Sequence, residues 1–139
     1  MATSENITKL FEAIMDKKLG TVQYLIENKL VSIDSKNENG QTPIIVVSIF
    51  NREDILNYLI KKGADLNIKD NQGASALLYT LKYRHPQTLK ILIDAGANVD
   101  FQAGPKNQTF ISILEYYKNN YEPHYTESFN VVKEKLNIN

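Results

Sequence analysis

The residues best suited to chemistry in this chain are few and far apart. His85 and His124 are its only histidines, 39 positions from each other, and it has no cysteine. A metal site wants imidazole or thiolate ligands in local pairs, such as His-x-x-x-His on one helix face, and no such pair exists. The acidic pair Glu53-Asp54 stands where a helix begins. Carboxylates are favoured there by the unpaired amides of the first turn, which explains the pair without catalysis. Ser48, Ser75 and Ser112 have no base beside them in sequence, and Ser75 reads as a helix cap. The six glycines form no Gly-x-Gly-x-x-Gly, phosphate-loop or Gly-x-Ser-x-Gly signature. They fall as turn punctuation. This set offers no catalytic centre and no metal site, and no cofactor is expected.

The punctuation has a period, and the period defines the elements. One stretch reads Asn37-x-x-Gly40-x-Thr42-Pro43-Ile44 and ends Leu59-Ile60-Lys61-Lys62-Gly63-Ala64. A second reads Asp70-x-x-Gly73-x-Ser75-Ala76-Leu77 and ends Leu92-Ile93-Asp94-Ala95-Gly96-Ala97. Gly40 to Gly73, Leu59 to Leu92, Gly63 to Gly96 and Ala64 to Ala97 are each 33 residues apart. Turn glycines and apolar positions that share one period mark an internal repeat. Asn39-Gly40 supplies the positive φ of a tight turn. Thr42 caps a helix whose first position, Pro43, needs no amide hydrogen. Ile44 to Phe50 is too apolar for a surface helix and must lie between neighbours. Asn51-Arg52 makes a bend, and a second helix turns Ile55, Leu56, Leu59 and Ile60 inward until Gly63 ends it in a left-handed conformation. The next unit repeats the plan with Leu77, Leu78, Thr80 and Leu81, a bend at Arg84-His85-Pro86, then Leu89, Leu92, Ile93 and Gly96.

The ends are less regular. Ile7, Leu10, Phe11, Ile14 and Met15 predict a first helix, with Thr8 at its cap or first turn and Gly20 at its end. Val22, Leu25 and Ile26 follow as a short second stripe. Beyond Gly96 the turn is longer, since Thr109 lies 34 residues after Ser75. Ile111, Ile113, Leu114 and Tyr117 continue the inner-helix pattern. A linker over Asn119 to Tyr125 precedes a short closing helix carrying Phe129, Val132 and Leu136. Irregular terminal units are expected of a repeat array, because one face of each meets water.

The chain resembles the ankyrin-repeat family at these positions. The resemblance implies an all-α fold: an ankyrin-repeat solenoid of about four helix–turn–helix repeats with irregular capping repeats. One domain over 6–137 is expected, with repeats at 6–36, 37–69, 70–103 and 104–137. The sequence departs from the family's Thr-Pro-Leu-His-x-Ala motif. The histidine is replaced by Ile45 and Leu78, the small residues after it by Val47-Ser48 and Thr80-Leu81, and the glycine ending the inner helix by Asn51 and Arg84. Bulkier residues should push the helices apart or alter the curvature. Stability should then lean on apolar packing, at ~25 cal/mol per Å² buried, more than on polar networks.

In the family, ligands meet the turn tips and the inner-helix surface. Carried over residue by residue, the resemblance places Glu38, Asn39 and Gln41, then Asn71, Gln72 and Ala74, at the tips, with Lys36 and Lys69 beside them. The inner-helix ends offer Ile49 and Phe50, Lys82 and Tyr83, and Tyr116 and Tyr117, with Met15 and Asp16 matching in the first helix. Phe50, Tyr83 and Tyr117 recur at spacings of 33 and 34, an aromatic column with Tyr79 one turn earlier. Such rings suit the hot-spot strip of a protein-binding groove. The competing explanation is that they fill space left by non-standard packing. The implied function is non-catalytic binding of a partner protein, compatible with an inhibitor, immunity protein, adaptor or effector. One alternative is a small-ligand binder or enzyme using the Tyr-rich groove, where Lys82 and Glu115 are the nearby titratable groups. Another is self-association through the last helix around Phe129 and Val132.

Global properties bound these readings. Lys+Arg and Asp+Glu both number 16, which argues against a nucleic-acid partner. The tips are mixed in sign, which suits a neutral protein partner. No apolar run is long enough to span a membrane, and the N-terminus lacks the pattern of a signal peptide. A cysteine-free chain without such signals is expected in the cytoplasm, with secretion as a host-directed effector also compatible, and is expected to act as a monomer.

Overall fold

The structure, a computed structural model, describes residues 2–139. The described residues form α1 (Ser4–Met15), α2 (Leu19–Glu27), α3 (Pro43–Phe50), α4 (Glu53–Lys61), α5 (Ala76–Lys82), α6 (Pro86–Asp94), β1 (Gln102–Ala103), β2 (Gln108–Thr109), α7 (Phe110–Asn120) and α8 (Thr126–Lys135). The helices stack as four pairs, an inner helix followed by an outer one. The fold is therefore an all-α repeat solenoid with one small hairpin, Gln102 facing Thr109 and Ala103 facing Gln108, where the sequence suggested only a longer turn.

Local chemistry accounts for the helix boundaries. Thr42 is extended and its hydroxyl accepts from the Ile45 amide at 3.5 Å, with Pro43 opening α3. Asn51 and Arg84 reverse the chain after α3 and α5 with φ of 56° and 58°, and Lys17 does so after α1 with φ of 60°. Gly63 and Gly96 close α4 and α6 at φ of 87° and 97°, the left-handed exit that glycine adopts without a Cβ penalty.

Three expectations about these boundaries are corrected. Gly20 does not end the first helix; it lies inside α2, and the break is made by Lys17. Thr8 does not cap α1. Thr3 does, its hydroxyl accepting from the Asn6 amide at 3.1 Å, while Thr8 donates back to the Ser4 carbonyl. Ser75 occupies the cap position of α5, but its hydroxyl is buried without a partner among the described residues.

The core runs through all four pairs. Pro43 to Ser48 are all buried because α3 is covered by α1 on one side and α5 on the other. α3 packs on α5 more extensively than any other two helices pack, with Val47 and Ser48 fully buried, so the expected separation of the helices does not occur there. The separation occurs one step later, where α7 stands farther from α5. Tyr117, Tyr121 and Tyr125 cluster at that junction, and the Arg84 guanidinium lies 4.2 Å from the Tyr121 ring centre. Val132 is fully buried in the final pair and Phe129 half-buried, so Val132 is not part of an exposed end for self-association.

Polar ties between repeats are more numerous than expected. Arg52 donates to the Ile14, Met15 and Phe50 carbonyls at 3.3, 2.9 and 2.7 Å. One repeat on, His85 Nε2 donates to the Ile49 carbonyl at 3.1 Å, and Thr88 to the Asn51 side chain at 2.8 Å. On the outer side, Asp34 accepts from the Asp65 amide at 3.1 Å and Asn67 from the Asn98 amide at 2.7 Å. Bend residues thus take over the bridging that the missing motif histidine would supply.

Candidate functional site

Two projecting turns form the first part of the candidate surface, and they are built alike. Asn37 Oδ1 accepts from the Asn39 and Gln41 amides at 2.9 and 3.0 Å. Asp70 Oδ1 accepts from the Gln72 and Ala74 amides at 2.9 and 3.0 Å. Gly40 and Gly73 take φ of 73° and 78°, and the Gly40 and Gly73 amides donate back to the Asn37 and Asp70 carbonyls. An Asn or Asp side chain that caps its own turn amides fixes the loop before any ligand arrives.

The turns are also tied to each other. The Asn71 amide donates to the Asn39 carbonyl at 3.0 Å, and Asn71 Nδ2 donates to the Glu38 carbonyl at 3.2 Å. Asn71 is therefore exposed but partly committed. Asn39 and Gln72 are exposed, and Gln41 is half-buried with its side chain accepting from Asn37.

Tyr79 is buried, and its hydroxyl donates to the Asp70 carboxylate. Burial would raise the Asp70 pKa. The Tyr79 hydroxyl and the Ala74 and Gln72 amides outweigh it and hold the carboxyl below its ordinary value. Burial, and then the bond to Asp70, push the Tyr79 hydroxyl up. Tyr79 latches the second turn to α5, and the exposed Tyr83 ring stacks on it at 6.2 Å. The sequence carried a signal for this latch: Asp at position 70 where the preceding turn has Asn37, with a hydroxyl-bearing ring nine residues on.

The inner-helix ends form the second part. Phe50 and Tyr83 are 39% and 45% exposed, and Tyr116 is 58% exposed. These three are spaced by 33 and 33. Tyr117, the column member expected from the sequence, is half-buried against Tyr121 and Tyr125, because α7 runs on to Asn120 and closes against α8. Lys82 lies exposed over the Tyr83 ring at 5.5 Å. Near the start of the stack a groove of 430 Å³ opens between α1 and the first turn, lined by Phe11, Glu12, Met15, Lys36 and Asn39 among others. Glu115 forms no ion pair with Lys82; it opens onto the end of the stack with Ser112, Phe129 and Lys133. Among the described residues no cluster of three or more His, Asp or Glu could hold a metal ion, and no helix is long and apolar enough to cross a membrane.

The family model for ankyrin repeats (3 copies) matches residues 7–103. The chain belongs to the ankyrin-repeat family. Its ankyrin repeats are 33% identical over 95 residues to human neurogenic locus notch homolog protein 1, covering 68% of this chain and 4% of that protein. They are 29% identical over 100 residues to an ankyrin repeat protein of Acanthamoeba polyphaga mimivirus, covering 69% of this chain and 13% of that one. This ankyrin-repeat chain therefore spans only a small part of those relatives. Among solved structures, a chain in the complex of the Bd0816 predatory endopeptidase from Bdellovibrio bacteriovorus with immunity protein Bd3460 superposes with a TM-score of 0.76 at 25% identity. That match covers 97% of this chain and 65% of that one. Ankyrin repeats are in general protein–protein interaction modules.

Proposed function

We propose that this protein binds a partner protein, without catalysis, through the exposed inner-helix ends and the turn tips. The observation that carries this reading is the periodic exposure of Phe50, Tyr83 and Tyr116 in a stack that buries most of its other large apolar side chains. Rings give a large contact area at low entropic cost, and each key one in an interface is worth ~2 kcal/mol or more. The support beneath them is fixed by the ties between repeats, which keeps the ordering cost of binding low. Asn39, Gln72 and the free edge of Asn71 supply polar contacts at the rim. The structural neighbour comes from a complex of an endopeptidase with an immunity protein, which makes occupation of a partner enzyme one concrete form of this reading. The protein acts in the cytoplasm as a monomer.

A photo-crosslinking amino acid placed at Tyr83, and separately at exposed Asn57 on α4, tests the surface. Crosslinks to one discrete protein from Tyr83 and none from Asn57 are expected. Crosslinks from Asn57 alone would move the binding face to the outer helices.

A further inference from the structure

Cations are unevenly placed along the aromatic ridge. The chain has two arginines, Arg52 and Arg84, one at each central bend. Arg52 spends its guanidinium on three backbone carbonyls, at Ile14, Met15 and Phe50, and is a structural clamp. Arg84 and Lys82 are different. Both are exposed, and neither forms an ion pair among the described residues, where the ion pairs are Lys9–Glu5, Lys62–Glu27 and Lys90–Glu127. Lys82 lies over the Tyr83 ring, and Arg84 stacks on Tyr121 while donating to its hydroxyl at 3.2 Å. Stacking holds the cations beside the rings and leaves their charge uncompensated.

No carboxylate of the described residues lies within ion-pair distance of either. Glu115 faces the end of the stack, Glu53 and Asp54 lie at the preceding bend with Lys17 and Arg52, and Glu122 accepts from Thr126. A neutral chain with this arrangement keeps two cations without ion-pair partners beside its exposed Tyr83 ring.

Resting on the reading of this face as a protein-binding surface, we infer that the ridge at Lys82, Tyr83, Arg84 and Tyr116 takes an acidic segment of the partner, with Asp or Glu flanking an apolar side chain. The apolar group packs on the Tyr83 and Tyr116 rings while the carboxylates meet Lys82 and the open edge of Arg84. A guanidinium already oriented by its ring loses little freedom on forming such a pair. Complementary charge of this kind acts on association rate and on partner choice. Single-stranded nucleic acid could also use rings beside cations, but the balanced total charge and the narrow cationic stretch favour the peptide.

The test pans a random dodecapeptide phage library on the wild type, and measures the enriched peptides and a 20-nucleotide oligo(dT) against the wild type, Lys82→Glu, Arg84→Gln and Tyr83→Ala. Circular dichroism melts confirm that each variant folds; Lys82→Glu is the primary variant because its side chain is exposed and forms no ion pair. The expected result is enrichment of peptides rich in Asp and Glu around an aromatic or aliphatic residue. Their affinity falls about tenfold or more in folded Lys82→Glu and weakens with added salt, and oligo(dT) does not bind. Neutral or basic peptides that bind Lys82→Glu as well as wild type but lose Tyr83→Ala would overturn the acidic partner while keeping the binding face. Peptides indifferent to both changes, or no enriched peptide at all, would overturn both. Oligo(dT) binding that Lys82→Glu abolishes would replace the peptide with nucleic acid.

Discussion

Asn71 sits where a side chain on Gly40 would have to be: a Cβ built at Gly40 collides with Asn71 Oδ1 and crowds its backbone amide. Gly40 thus meets two demands at once, a φ of 73° and the close approach of the next turn. Gly73 meets only the first, at φ of 78°, with open space around it. An alanine in the left-handed region costs about 1 kcal/mol, and each displaced hydrogen bond about 1 kcal/mol more. Gly40→Ala should therefore destabilise by about 2–3 kcal/mol and Gly73→Ala by about 1 kcal/mol. Urea titrations of the two variants measure this, and equal losses would mean that the turns are not braced against each other.

The Asp70–Tyr79 latch predicts a pH dependence. Asp70 is held below its ordinary value when folded, so the unfolded chain binds that proton more readily. Its stabilisation is present above about pH 4, the ordinary carboxylate value, and is lost as pH falls through the folded value. Tyr79 is raised when folded, so its contribution is present below about pH 10 and is lost as pH rises past it. Tyr79→Phe leaves the carboxylate short of a donor and should cost about 1.5–3 kcal/mol at neutral pH. The stability gap between wild type and Asp70→Asn should narrow below pH 4 in denaturant titrations. A gap that is constant from pH 7 to pH 3 would show that the latch carries no such linkage.

Two equivalent cap positions should answer differently to the same change. Thr42 accepts from the Ile45 amide, if at the long distance of 3.5 Å, whereas the Ser75 hydroxyl is buried and unpartnered. Thr42→Ala should cost about 1 kcal/mol, and Ser75→Ala should change stability by about 0.5 kcal/mol or less. Thermal melts of the pair decide it; a larger loss at Ser75 would show that its hydroxyl has a partner in solution.

Much of this architecture is legible in the sequence, for physical reasons that also explain the gaps. Gly63 and Gly96 announce helix ends because left-handed backbone is costly for other residues, and Thr42-Pro43 announces a start because cap and ring act locally. The same locality misleads at Gly20, which α2 tolerates because the neighbouring Lys17 takes the left-handed turn. Thr3 and Thr8 both suit an N-terminus, and only the position of the packed face, Leu10, Phe11 and Ile14, decides between them. What spacing cannot give is cross-repeat geometry. The Arg52 clamp and the Arg84–Tyr121 stack join residues 37 or more positions apart in directions set by packing. For the same reason the column ends in Tyr116: α7 is longer than α3 and α5 and closes against α8 through Tyr117.

The exposed rings serve recognition in this proposal and the stack beneath them serves stability, and joint removal of Phe50, Tyr83 and Tyr116 separates the two. The measurement is capture of the crosslinked partner by wild type and by the triple alanine variant, with a melting curve for each. The variant should melt within about 4 °C of wild type, a loss of about 1 kcal/mol, and should no longer retain the partner. A variant that melts far lower yet still captures the partner would contradict it, because the rings would then be part of the packing and not of the interface.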